Sequence, residues 1–173
     1  MPAEYPPAAW HPLAGHFAPG RRSQRDLIVL HITAGSTATG AIATFEHSKP
    51  PNRTSAHFIV DRDGRVTQLV SIDNTAWHAS AVNSRSIGVE HVAVPGKLLP
   101  TEAQCAASSA LVAWLCRELC ISCDRAHIRS HHEASPRDGH VGCCAPTLDP
   151  DRIVAAAAAL LSNTAAQPPE RTA

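Results

Sequence analysis

The sequence has few lysines: Lys49 and Lys97 are the only two among 15 basic residues. It is also short of aromatics, 4% of 173 residues, and neither charge is in excess, because Asp and Glu together also number 15. A chain with no basic surplus is a poor partner for a phosphate backbone, so nucleic acid is excluded as the main ligand. Long apolar runs are missing as well, and none approaches the roughly 18 residues that a membrane helix needs, so no membrane partner is expected. The start, Met1-Pro-Ala-Glu-Tyr-Pro-Pro7, lacks a basic segment followed by an apolar one. No signal peptide is therefore expected, and the protein is expected to be cytoplasmic as synthesised. Apolar residues still make up 44%. That excludes a disordered polar chain and allows one packed core at this length.

The abundant residues are 11 His and six Cys. Together with carboxylates they are the donor set of zinc, so a metal site is the first thing to seek. All six cysteines lie between Cys105 and Cys144. In a reducing compartment they read as thiols or metal thiolates rather than disulfides. Five of the 14 prolines fall in residues 1–20, which carry a single charge, Glu4. That stretch reads as an irregular N-terminal arm. Residues 163–173, around Pro168-Pro169, read as a polar tail, leaving residues 21–162 as one domain.

Leu27 to Ile32 is a short apolar run rich in β-branched residues, which predicts a buried strand. Further strands are expected over Ser55–Asp61, Val66–Val70, Ser86–Val92 and His127–Ser130. Asp63-Gly64 supplies the positive φ of a tight hairpin turn between the second and third of these five strands. A weak helix is expected over Thr39–His47. A longer one runs from a Thr101 cap, with Glu102 in its first turn, to about Leu119. An Ala-rich helix starts at Asp149-Pro150 and ends near Leu161. Interleaved strands and helices indicate an α/β domain, a central mixed sheet flanked by helices. Cys105, Cys116 and Cys120 fall within about 60° of one another on the long helix. They read as small buried apolar residues rather than as a second metal site.

His31 ends the first buried strand. His131-His132-Glu133 follows another strand, and Cys143-Cys144 comes soon after. Three ligands from separate loops would leave one tetrahedral position open, as in catalytic rather than structural zinc sites. Seven segments carry a resemblance, in order. They are Ile28–Gly35, Ser55–Gly64, Gln68–Val70, Ala76–Ala79, Asn83–Glu90, His131–Glu133 and Cys143–Ile153. The chain resembles the zinc-dependent N-acetylmuramoyl-L-alanine amidases, the type shared by phage lysozyme-like amidases, wall-recycling amidases and peptidoglycan recognition proteins. The resemblance covers about residues 25–160.

The resemblance implies a single zinc amidase catalytic domain with its zinc site in a groove at the sheet edge. It implies one zinc ion on His31, His131 and Cys143, with Cys144 as the alternate third ligand. It implies hydrolysis of the amide between N-acetylmuramic acid and L-alanine, in peptidoglycan or soluble muropeptides. Glu90 matches the family's strand glutamate and would shuttle the proton. The strand alternates, so Glu90 and His91 should face opposite ways. His140, or Arg137 in its stead, would stabilise the oxyanion. His57, Trp77, His78 and Asn83 would lie along the groove, in contact with substrate or in support of the ligands, with a satisfied structural histidine an equal reading of His57. The pair after the third ligand, usually Pro-Gly, is here Cys144-Ala145. Three other readings remain open: the resemblance also allows a muropeptide-binding module of the same fold without catalysis, and the residues allow a Cys-His hydrolase using Cys143 or Cys144, or a structural zinc protein. A monomer is expected. The role could be that of a phage lysin, a recycling enzyme or a delivered effector, the first and last implying release to the wall.

Overall fold

The computed structural model describes residues 2–20, 23–144 and 146–165. In chain order its elements are β1 (Ala9–Trp10), β2 (Phe17–Ala18), β3 (Leu27–Ile32), α1 (Ala38–His47), β4 (Phe58–Val60), β5 (Val66–Gln68) and β6 (Thr75–Ala76). Then follow β7 (Ser86–His91), α2 (Glu102–Leu119), β8 (Ile128–Ser130), α3 (His131–Ala134) and α4 (Pro150–Ala165). Six strands form one mixed sheet in the order β1-β5-β4-β7-β3-β8, and β2 pairs with β6 apart from it. β3 lies parallel between β7 and β8, and β4 and β5 form the antiparallel hairpin. The domain is α/β, as its interleaved pattern predicts.

All six residues of β3 are buried. This is what a strand between two parallel neighbours requires, and it explains the unbroken apolar run. Ile28, Leu30 and Ile32 join Phe58, Val60, Ile87 and Val89 against Leu111 and Leu115 of α2 and Ile153 of α4. Helices α2 and α4 therefore cover one face of the sheet. The register sets His31 opposite Glu90 and Ile32 opposite His91. Residues paired across neighbouring strands share a face, so His31 and Glu90 point together to the side away from α2, and His91 points toward it. His91 is buried there. Its Nδ1–H donates to the carbonyl of His31 at 2.9 Å, and its Nε2 accepts from Ser108 Oγ on α2 at 2.7 Å.

Thr101 caps α2, its hydroxyl accepting from the backbone N–H of Gln104. The helix stops at Leu119 because Cys120 takes a left-handed φ of 54°. Cys105 and Cys116 are buried as expected, but Cys120 is exposed. The cap turns it off the apolar face that helical spacing alone would give it.

Residues 1–20 are not simply an irregular arm. Ala9 and Trp10 pair in parallel with Thr67 and Gln68 as an edge strand. The Glu4 carboxylate accepts from Gln68 Nε2 at 2.5 Å, Ser71 Oγ at 2.6 Å and the Ile72 N–H at 2.8 Å. Leu13 is 1% exposed. The prolines break this segment into pieces too short to show a period, which hides its packing in the sequence. At the other end α4 continues to Ala165, past the end expected near Leu161. Residues 166–173 of the expected tail lie outside the described residues. No described helix is long and apolar enough to cross a membrane.

Candidate metal centre

His31 stands at the C-terminal end of β3. Alongside, at the sheet edge, β8 runs directly into α3. Ser130 and Glu133 form a reciprocal capping box around that junction. The cap fixes the first turn and brings His131 beside the end of β3. Cys143 arrives from the loop that follows the Pro136–Asp138 turn. The ligand atoms of His31, His131 and Cys143 all lie within 4.8 Å of one another. Among the described residues no other three donors gather in this way.

The histidines are 2% and 5% exposed, so their rings are held by packing. Cys143 Sγ lies 3.8 Å from His31 Nδ1. On its other side His31 Nε2 is 3.0 Å from His78 Nδ1, and His131 Nε2 is 3.0 Å from Asp138 Oδ2. Each ring thus has its Nε2 engaged by a neighbour, which leaves Nδ1 to meet an ion. Partners of this kind are what orient metal-binding imidazoles.

The electrostatics favour a thiolate. Hydrogen bonding from Cys144 holds the Cys143 thiol far below its ordinary value, and His131 and His31 add to this against the cost of burial. Cys144 is pushed the other way, first by Cys143 and then by burial. The doublet thus divides: Cys144 is fully buried with its Sγ on the Leu30 carbonyl at 2.8 Å, and Cys143 faces the histidines. Burial lowers His31. Burial also pulls on His131, but Cys143 and Asp138 outweigh it and leave that ring raised. Glu90 lines the same cavity as His31, His131, His140 and Cys143. Burial, and then the neighbouring Cys143 charge, push its carboxyl up to about 8. Its Oε2 is shielded from solvent and has no hydrogen-bond partner.

A groove of ≈ 370 Å³ leads to this point, walled by Arg53, Trp77, His78, Asn83, Asp138 and His140 among others. His140 is exposed and stacks on His131, with ring centroids 4.4 Å apart and planes at 20°. Asn83 shapes the wall: its Oδ1 accepts from the N–H groups of His78 and Ala79 at 2.9 and 2.7 Å. His57 does not reach the groove. It is fully buried, its Nδ1 accepts from the Gly88 N–H at 3.0 Å, and its Nε2–H donates to the Asn74 carbonyl at 3.2 Å. Burial drives its pKa down to about 3. It is a structural histidine because both ring nitrogens are already bonded to backbone groups inside the fold. Sequence reasoning missed Asp138, whose only signal is a carboxylate seven residues beyond His131 in a Pro-started turn. It also passed over Ser86, an ordinary strand serine in sequence, whose Oγ lies 3.1 Å from His78 Nε2.

The profile of the N-acetylmuramoyl-L-alanine amidase family matches residues 21–164.

The chain belongs to that family.

The N-acetylmuramoyl-L-alanine amidase A of Achromobacter lyticus is 34% identical over 85 residues, covering 49% of this chain and 46% of that protein. The chain thus aligns with about half the length of that relative. The crystal structure of a selenomethionine derivative of AmpD superposes with a TM-score of 0.71 at 26% identity, covering 87% of this chain and 94% of that one. The E. coli amidase AmiD, solved in complex with anhydro-N-acetylmuramic acid-L-Ala-D-gamma-Glu-L-Lys, has a TM-score of 0.58 at 21% identity. That match covers 66% of this chain and 51% of AmiD. The AmpD and AmiD structures share the fold of this chain.

Proposed function

We propose that this amidase-family chain hydrolyses the amide bond between N-acetylmuramic acid and L-alanine in peptidoglycan or muropeptides, using one zinc ion held by His31, His131 and Cys143. The observation that carries this is the meeting of two imidazoles and a low-pKa thiol within 4.8 Å, beside a buried carboxylate oxygen that nothing bonds. The donor set suits zinc, and three protein donors leave one of four tetrahedral positions for solvent or substrate. When bound, zinc supplies Lewis-acid chemistry and lowers the pKa of water to near 7.

The chain's own groups account for the rest. Glu90 shares a sheet face with His31 and holds Oε2 free, so it can take a proton from water and return it to the leaving amine. Its raised pKa suits a group that must both accept and release a proton near neutrality. His140, exposed above His131, can donate to the oxygen on which charge develops. Trp77 gives the groove a broad apolar wall, suited to a sugar ring. Asn83 holds the backbone of His78 and Ala79 and so keeps that wall in place. AmiD supports the substrate class, since the ligand named for it is a muropeptide. A monomer fits the reading, and a lysin or effector role would require release to the wall.

The test is to incubate the protein with intact sacculi and with soluble muropeptides and to weigh the products. Free stem peptide is expected, lost on chelation and restored by zinc. Binding without cleavage would instead support a recognition module.

A further inference from the structure

On β7 the residues Ser86, Gly88 and Glu90 alternate onto one face, the face that also carries His31. The ring of His78 lies across the middle of that row. A Cβ on Gly88 would sit 2.5 Å from His78 Cγ and 2.8 Å from its Nδ1. The strand therefore has a gap one ring deep, and His78 fills it between Ser86 on one side and His31 on the other.

The hydrogen bonds through this ring have a direction. Ser86 Oγ is 2.7 Å from the Val82 carbonyl, which can only accept, so the single hydroxyl proton is used there. Ser86 Oγ must then accept from His78 Nε2, 3.1 Å away. A neutral imidazole carries one N–H, so His78 Nδ1 is a bare acceptor. It lies 3.0 Å from His31 Nε2, which must donate. That places the lone pair of His31 on Nδ1, on the side of Cys143.

We propose that Ser86 and His78 are positioning residues, a one-way hydrogen-bond chain from the Val82 carbonyl that holds His31 in the tautomer able to bind a metal through Nδ1. Gly88 belongs to the device because it makes room for the ring. The proposal rests on the zinc reading above and adds to it what decides which nitrogen of His31 is available.

The chain can be read in the metal-free protein by imidazole-selective ¹⁵N NMR, independently of any activity. His31 and His78 should both carry their proton on Nε2. Ser86→Ala removes the acceptor with little change of volume. It should shift His78 toward the Nδ1–H tautomer and weaken zinc binding about 10- to 100-fold in chelator competition. Gly88→Ala reaches the same end by displacing the ring, and it covers the case in which Ser86→Ala repacks. An Nδ1–H His78 in the unaltered protein would overturn the proposal. So would zinc affinity and spectra unchanged in both variants. A protein that shows the expected tautomers yet binds no zinc would overturn the metal reading itself, a separate failure.

Discussion

In the proposed reaction Glu90 moves the proton, and its surroundings suit it to that. It is half-buried, yet Oε2 is closed to solvent and bonds to nothing. A neutral isostere keeps the shape and loses the proton transfer. Glu90→Gln should retain zinc and lose about 10²- to 10⁴-fold in turnover, read from product release at fixed metal content. The same residue sets a pH dependence. Its carboxyl is raised from 4.5 to about 8 in the folded chain. Between those values the folded state holds more protons than the unfolded, so its contribution to stability is full below 4.5 and is lost as pH rises through about 8. Thermal unfolding of the metal-free protein should show this falling limb, and Glu90→Gln should flatten it. The two adjacent cysteines should separate as cleanly. Cys143→Ser should lower zinc content with the fold intact. Cys144→Ser should leave the ligand set in place and act on stability, because Cys144 packs in the core against the Leu30 carbonyl. A larger loss of zinc from the second variant would exchange their roles.

Elements place these residues, and much of that placement was legible in the sequence. The apolar run of β3, the Asp63-Gly64 turn and the Thr101 cap are local signals, and each element formed where its signal lay. The opposite facing of Glu90 and His91 followed from strand alternation. The Cys143-Cys144 choice stayed open because one residue of spacing cannot say which side chain a loop turns inward. Cys144 has a φ of 80°, a backbone state that side-chain spacing does not reveal. For His57 the resemblance points to the groove and the residue type equally to a structural histidine, and the full burial that decides for the second is not visible in the sequence. The N-terminal strand was hidden because two-residue edge pairing leaves no period. The turn signal can be tested. Gly64 has φ +86°, and a Cβ there would lie 3.0 Å from the Ala103 carbonyl oxygen at the start of α2. Gly64→Ala should therefore destabilise the fold by more than about 1 kcal/mol, seen as a lower denaturation midpoint with zinc affinity preserved. Thr101→Ala should cost about 1 kcal/mol through the lost cap at the other side of that contact.

At the scale of the whole molecule, one face of the sheet carries the largest apolar core, the other carries the candidate metal centre beside two smaller apolar clusters, and buried histidines join the two. His91 ties the backbone of His31 to α2, and His57 ties Gly88 to the Asn74 loop. Burial lowers them from 6.5 to about 4 and about 3. Below 6.5 the unfolded chain takes up protons that these rings refuse, so their contribution is present above that pH and lost as pH falls toward 4 and 3. The fold should unfold in acid before its carboxylates alone would require it. The central claim is that a histidine at a strand end, a histidine at a helix start and one cysteine share an ion, and X-ray absorption at the zinc edge of the reconstituted protein tests it most directly. The account predicts one sulfur neighbour at about 2.3 Å with nitrogen and oxygen neighbours at about 2.0–2.1 Å. A shell without sulfur, or with two sulfurs, would contradict it.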